Sequence, residues 1–233
     1  MFNLLNLILL TFFNPSVKLN SGKKIILSGK GPPLFFSTGL FGTMPNFLYS
    51  NFLNKLKKKF TIITIDGISP VTNQDITDIV EELAVDSISY MSHSSFNYNI
   101  LENDKINNAI IIDPITLPKI NINGISKRII KVKYPIISIK ASKLYNAEVP
   151  LPDWQNPKII GNITSYLYGN IGHPDILDNR WANLAKKYGF WESSDGKIFN
   201  YKNWSYEKNN NNINQIRMDY RNFIYNQTIN LIL

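Results

Sequence analysis

Ser87-Ile88-Ser89-Tyr90-Met91-Ser92-His93-Ser94-Ser95-Phe96 is the stretch on which the reading of this chain turns. Ser87 to Met91 predicts a short strand, and Ser95 to Glu102 predicts a helix. Ser94 would then sit on the tight turn between them. A serine held there has its hydroxyl lifted clear of the sheet. The helix that follows would aim backbone N–H groups at negative charge developing beside it. Such a turn is crowded and usually carries glycine two residues to either side. Here Ser92 and Phe96 occupy those places. The plainer reading is an ordinary strand–helix junction capped by serine.

Outward from this turn the chain alternates strand and helix. Ser16 to Leu19 and Lys24 to Leu27 predict a hairpin about Asn20-Ser21-Gly22. Leu34 to Ser37 predicts a buried strand running into Thr38-Gly39-Leu40-Phe41-Gly42. A helical stripe at 48, 52, 53 and 56 follows, then the β-branched strand Phe60 to Asp66. Thr72 is placed to cap a helix whose buried face holds Ile76, Ile79, Val80, Leu83 and Ala84. Ala109 to Ile112 and Pro135 to Ile139 predict two more buried strands. Asn179 to Phe190 and Ile213 to Leu231 predict two late helices. This alternation implies a mostly parallel sheet with helices on both faces. Functional residues of such sheets gather at the carboxyl ends of the strands.

Two further positions answer to Ser94. Asp113 ends a strand of isoleucines, where a carboxylate is costly unless it meets a partner or water. Alternatively it caps the turn before Pro114. His173 lies in Gly172-His173-Pro174-Asp175-Ile176-Leu177-Asp178, far downstream, and is one of only 2 histidines. The other, His93, adjoins Ser94. A serine nucleophile needs a base to take its proton and an acid to orient that base. His173 would otherwise be a histidine of a surface loop. An unperturbed imidazole titrates near ~6.5, and a carboxylate beside His173 would raise that value.

Composition narrows the classes. With 44% apolar and 18% charged residues the chain is globular rather than disordered. It has no cysteine, so thiolate metal sites and disulfides are excluded. Net charge is +8, yet the lysines are scattered. Their densest run, Lys55 to Lys59, reads as the solvated end of a helix, so nucleic acid is not an expected partner. Three Asn-x-Ser/Thr sequons, at Asn162, Asn203 and Asn226, read as chance matches in an Asn-rich chain. Residues 1–14 form an apolar segment too short to span a membrane, read as a packed element, an interfacial anchor or a signal. Residues 15–233 read as one domain.

The order Ser94, Asp113, His173, together with the strand order around Gly29 to Gly42, Phe60 to Asp66, Ser87 to Phe96 and Pro135 to Ile139, resembles the α/β-hydrolase superfamily from about Ser16 to Phe190. Within it, Ile112-Asp113-Pro114-Ile115 and Gly172 to Asp178 are similar to the chlorophyllase-like and related lipase-like branch. That branch takes its acid from an Asp-Pro after the strand following the elbow. The resemblance implies an α/β-hydrolase fold with a minimal lid or none. It implies Ser94 as nucleophile, Asp113 as acid and His173 as base. Backbone N–H groups of Leu40 and Ser95 would form the oxyanion hole. Thr38 stands where many members have His. Asp175 and Asp178 would organise the His173 loop and cap the next helix.

The implied activity is cleavage of a carboxylic ester through an acyl-enzyme, with no cofactor and no metal. The substrate would be a small hydrophobic ester, with aromatics between Trp154 and Tyr168 either lining its site or serving as core. The alternative is a catalytically inactive protein of the same fold with a binding or structural role. That role could lie at a membrane surface reached through residues 1–14. The cytoplasm or a membrane-associated site is the favoured location, with secretion left open.

Overall fold

The computed structural model describes residues 16–94, 97–114, 129–141, 158–188, 190–192, 198–200 and 212–233. Strand β1 (Ser16–Lys18) turns back into β2 (Lys24–Gly29), as the predicted hairpin. Then come β3 (Pro33–Ser37), the single turn α1 (Gly39–Gly42), α2 (Ser50–Leu56), β4 (Thr61–Asp66) and α3 (Asn73–Leu83). Strands β5 (Ile88–His93), β6 (Ile106–Ile112), β7 (Ile129–Lys131), β8 (Ile136–Ala141), β9 (Lys158–Ile160) and β10 (Ile163–Tyr168) follow. Helix α4 (Asn179–Tyr188), the short strands β11 (Phe190–Glu192) and β12 (Ile198–Asn200), and helix α5 (Ile213–Ile232) complete the described elements.

Eight strands form one sheet in the order β1-β2-β4-β3-β5-β6-β8-β10. Pairings from β4 through β10 are parallel, and β2 near one edge runs antiparallel to both of its neighbours, β1 and β4. The continuous apolar runs in the central strands follow from burial on both faces. Successive side chains alternate between two cores. Phe35, Ile63, Tyr90 and Ile111 point to the face covered by α3. Leu34, Phe36, Ile62, Met91, Ile110 and Ile112 point to the face covered by α2, α4 and α5. Each fully buried Ile, Leu or Phe contributes about 1.5–3 kcal/mol relative to exposure.

Helix α3 starts at Thr72 as expected. Its hydroxyl accepts from the Asp75 N–H while Asp75 reaches back to the Thr72 N–H at 2.8 Å. Two expectations need correction. After Ser94 the described chain forms a short 3₁₀ helix, Tyr98–Glu102, rather than an α-helix. Asn97 folds its side chain onto the Asn99 N–H, and Asn103 onto the Lys105 N–H, and these local bonds favour turns over a longer helix. The second concerns α5. The sequence places apolar residues at 213, 216, 220, 223, 224 and 231 on one face of this helix, yet its buried residues include Arg217, Arg221 and Thr228 beside Tyr220 and Ile224. In the lysine run, Lys58 and Lys59 are exposed as expected, but Lys55 lies over the Tyr225 ring and donates to Asn222, docking α5 onto α2.

The N-terminal expectation falls on residues 1–14, which lie outside the described residues. Among the described residues, no helix is long and apolar enough to cross a membrane.

Candidate active site

Ser94 and Asp113 occupy matching places at the carboxyl ends of adjacent strands. Ser94 follows β5 with φ 65°, and Asp113 follows β6 with φ 45°. Both lie in the left-handed region, which costs a residue with a side chain roughly 1–3 kcal/mol and persists only where the surroundings enforce it. Here the enforcement is visible. The Ser94 N–H donates to the Ile112 carbonyl at 2.9 Å, and the Asp113 N–H donates to the Ile139 carbonyl at 2.7 Å. Each turn is thereby fastened to the end of the next strand. His173 arrives from the other side, opening the 3₁₀ helix His173–Ile176 after β10.

The three side chains meet. Ser94 Oγ lies 3.0 Å from His173 Nε2, a hydrogen-bond distance. His173 Nδ1 lies 3.9 Å from Asp113 Oδ2, longer than the ~2.9 Å of a hydrogen bond. Asp113 is held by other donors as well. Its Oδ1 accepts from the Ala141 N–H, and its Oδ2 accepts from the Tyr220 hydroxyl at 3.2 Å. Exposure is 4% for Ser94, 2% for His173 and 0% for Asp113, so all three side chains lie away from bulk water.

Burial sets the protonation states. Desolvation pushes the Asp113 carboxyl up to about 7, against the opposing pull of the Ala141 N–H and the Tyr220 hydroxyl. It also drives His173 well below 6.5, helped by the neighbouring His93. A raised imidazole pKa is the expectation from a facing carboxylate. The opposite occurs because, at 3.9 Å and without a direct hydrogen bond, the pairing does not offset the loss of water around both rings and carboxyl. His173 is therefore neutral at pH 7 and able to accept a proton.

The loop after β3 packs against the elbow. A Cβ on Gly39 would lie 3.4 Å from Ser94 Cβ, an ordinary contact, 3.3 Å from the Tyr49 hydroxyl and 2.7 Å from Met44 Sδ, so a side chain here would displace the end of Met44. The Gly39 N–H donates to the Tyr49 hydroxyl at 3.1 Å, which leaves the next amide, Leu40 in α1, as the donor the sequence assigns to this loop. Ser95, the other expected donor, lies outside the described residues. The helix N-terminus expected behind it is replaced by the Tyr98–Glu102 3₁₀ helix, so no long α-helix dipole stands there among the described residues.

No family model matches the chain, and no curated protein matches it. Solved structures do. An epoxide hydrolase of the α/β hydrolases superfamily from metagenomes of hot environments is 12% identical, with 75% of this chain and 96% of that one covered and a TM-score of 0.51. An epoxide hydrolase from Vigna radiata is 11% identical over 76% of this chain and 98% of that one, with a TM-score of 0.48. For an alpha/beta fold family hydrolase from Bacillus anthracis the match spans 45% of each chain at 15% identity, with a TM-score of 0.35. The chain has the α/β-hydrolase fold. At these identities the likeness establishes the fold and nothing about substrate.

Asp175 and Asp178, together with Arg217, Tyr220 and Arg221, which the sequence did not single out, buttress this site. Asp175 Oδ2 accepts from the Gly172 N–H, organising the His173 loop as expected, while its Oδ1 accepts from Arg217 Nε at 2.7 Å. Arg217 is 1% exposed and also donates to Asn183, so its charge is fully paired. Arg221 donates to the Leu177 carbonyl at 2.7 Å. Asp178 starts α4 through its backbone carbonyl, and its carboxylate accepts from the Asn51 N–H. Helix α5 thus clamps both the His173 loop and, through Tyr220, the Asp113 carboxylate. The signal was present but ambiguous: Arg217, Tyr220 and Ile224 share a helix face, and a buried arginine there requires an acid that sequence alone does not name. Tyr166 and Tyr168 pack on Tyr220 and Phe223 of α5, a core role.

His93, Asp113 and His173 offer ligand-type atoms within 4.8 Å of one another. Both nitrogens of His93 and Nε2 of His173 are already engaged by protein groups, which argues against a metal at this place.

Proposed function

We propose that the protein is a serine hydrolase that cleaves a carboxylic ester. The observation that carries this reading is the 3.0 Å contact between Ser94 Oγ and a His173 held neutral by burial, at an elbow whose backbone is left-handed. Ser94 Oγ attacks the ester carbonyl carbon as His173 Nε2 takes its proton. The imidazolium then gives that proton to the leaving alkoxide as the C–O bond breaks, and an acyl-enzyme remains on Ser94. Water, deprotonated by His173, adds to the acyl carbon, and collapse returns the Ser94 hydroxyl and releases the acid.

For this, His173 must carry its resting proton on Nδ1, facing Asp113. Ionised Asp113 stabilises the imidazolium, and closing the 3.9 Å gap strengthens that contact as charge develops. Catalytic hydrogen bonds are often long before substrate binds. Leu40 and Ser95 amides are proposed to receive the oxyanion. The elbow residue is a serine hydroxyl, whose product with an acyl donor is an ester, and this favours acyl transfer over other hydrolytic chemistry. The finer placing near the chlorophyllase-like branch rests on the Asp113-Pro114 and Gly172-His173 runs. An inactive protein of the same fold is the competing reading, supported by the absence of glycine at 92 and 96.

Hydrolysis of short p-nitrophenyl esters decides between them. Turnover that disappears in Ser94→Ala supports the enzyme. Turnover that survives in that variant removes Ser94 from the mechanism.

A further inference from the structure

His93 is buried, and its ring stacks on that of His173 with centroids 4.6 Å apart. Its Nε2 lies 3.1 Å from the His173 carbonyl oxygen. A carbonyl only accepts, so this nitrogen carries the hydrogen. The buried ring is neutral, because loss of water pushes its pKa down to about 4. Nδ1 is therefore a lone pair, and the Tyr49 hydroxyl at 2.8 Å donates to it. Met44 Sδ, at 3.8 Å, is a weaker acceptor for the same proton. The Tyr49 oxygen in turn accepts the Gly39 N–H at 3.1 Å. Every bond in the series has one direction: Gly39 N–H to Tyr49, Tyr49 to His93 Nδ1, His93 Nε2–H to the His173 carbonyl.

This series ties together three segments that must be in register for acyl transfer. They are the loop after β3, the elbow, and the loop carrying the base. The three are distant in sequence, and no β-ladder connects Gly39 or His173 to Ser94. We infer that His93 is a positioning residue, which through Tyr49 sets the Gly39–Leu40 loop and through the His173 carbonyl sets the imidazole against Ser94. The inference rests on the serine-hydrolase reading for its consequence in catalysis, though not for its hydrogen bonds. His93 touches no reacting atom. Its effect is on the placement of the oxyanion donor and the base, which appears in the transition state rather than in substrate binding.

The test uses the full chain in two measurements. With only 2 histidines, selective ¹⁵N-histidine labelling yields two imidazole spin systems, and His93→Asn assigns them. His93 should be the Nε2–H tautomer with Nδ1 accepting. An Nδ1–H tautomer overturns the inference. The second measurement is Tyr49→Phe, which keeps the ring and removes the link. Its kcat should fall about 10- to 100-fold, as expected for a catalytic group displaced by up to ~1 Å. Its KM should stay within about twofold, and a boronic acid that mimics the tetrahedral adduct should bind more weakly by the same factor as kcat falls. Unchanged kcat and boronate affinity in a folded Tyr49→Phe protein overturn the positioning role. If the unaltered protein lacks turnover altogether, the hydrolase reading fails. The positioning role then falls with it, whatever the tautomer.

Discussion

Replacing Asp113 by Asn should make the protein more stable at high pH while removing its activity. Asp113 is fully buried, and its carboxyl pKa is raised by burial from 3.8 to about 7. A folded-state pKa above the unfolded value means that the folded protein holds this proton more tightly. The associated stability is fully present below about 3.8 and is lost as pH rises through about 7. The shift corresponds to roughly 4 kcal/mol between the two limits. Asn imitates the protonated carboxyl in shape. It keeps an oxygen for the Ala141 N–H, and the Tyr220 hydroxyl can turn to accept from its amide. The variant is therefore released from the pH-dependent loss. Urea unfolding of both proteins from pH 4 to pH 8 is the assay, because carboxylates common to the two cancel in the difference. The stability difference should move in favour of Asp113→Asn by a few kcal/mol across that range. A pH-independent difference, or an Asn variant that becomes relatively less stable as pH rises, would refute the reasoning about burial. Turnover should fall by roughly 10⁴, since the amide cannot stabilise the imidazolium.

Three further outcomes follow from the same contacts. kcat/KM should rise with pH through about 7, as Asp113 loses its proton, with His173 already neutral across that range; a limb near 6.5 that survives in Asp113→Asn would assign it to His173 instead. Arg217→Met should cost about 3–5 kcal/mol in urea unfolding by stranding Asp175, and adding Asp175→Asn should recover part of the loss; an unchanged midpoint would show the pair to be dispensable. Gly39→Ala should lower kcat, because its Cβ meets Met44 Sδ at 2.7 Å beside Ser94, and the added change Met44→Ala should restore it in an ester assay; no loss in the single variant would mean that the loop yields freely.

The parts of this account legible in sequence are those written in short-range patterns. Runs such as Ile62 to Ile65 and Ala109 to Ile112 have no helical period and only one home, a strand buried on both faces. Ser94 and Asp113 were legible as positions because strands end there, and His173 because it is one of only 2 histidines and stands in a late loop. Their environment was not. Tyr220 reaches Asp113 across 107 residues, and Arg217 reaches Asp175 across 42. Nothing local marks such partners. His93 looked like a neighbour of the serine and no more, since its role depends on Tyr49 and on a backbone carbonyl 80 residues away. The sign of the His173 shift is hidden for a related reason. The resemblance implies a facing carboxylate, whereas the depth of burial that outweighs it is not written locally. The 3₁₀ helix in place of an α-helix after Ser94 reflects asparagines whose side chains compete for backbone N–H groups.

The central claim is that Ser94 is a nucleophile activated by His173. Treatment of the purified protein with a fluorophosphonate, followed by peptide mass spectrometry, tests it most directly. A single phosphonyl adduct on Ser94 is expected, formed with loss of fluoride and abolished by His173→Gln in a folded protein. No adduct at any pH between 6 and 9, or an adduct on another residue with Ser94 unmodified, would contradict it.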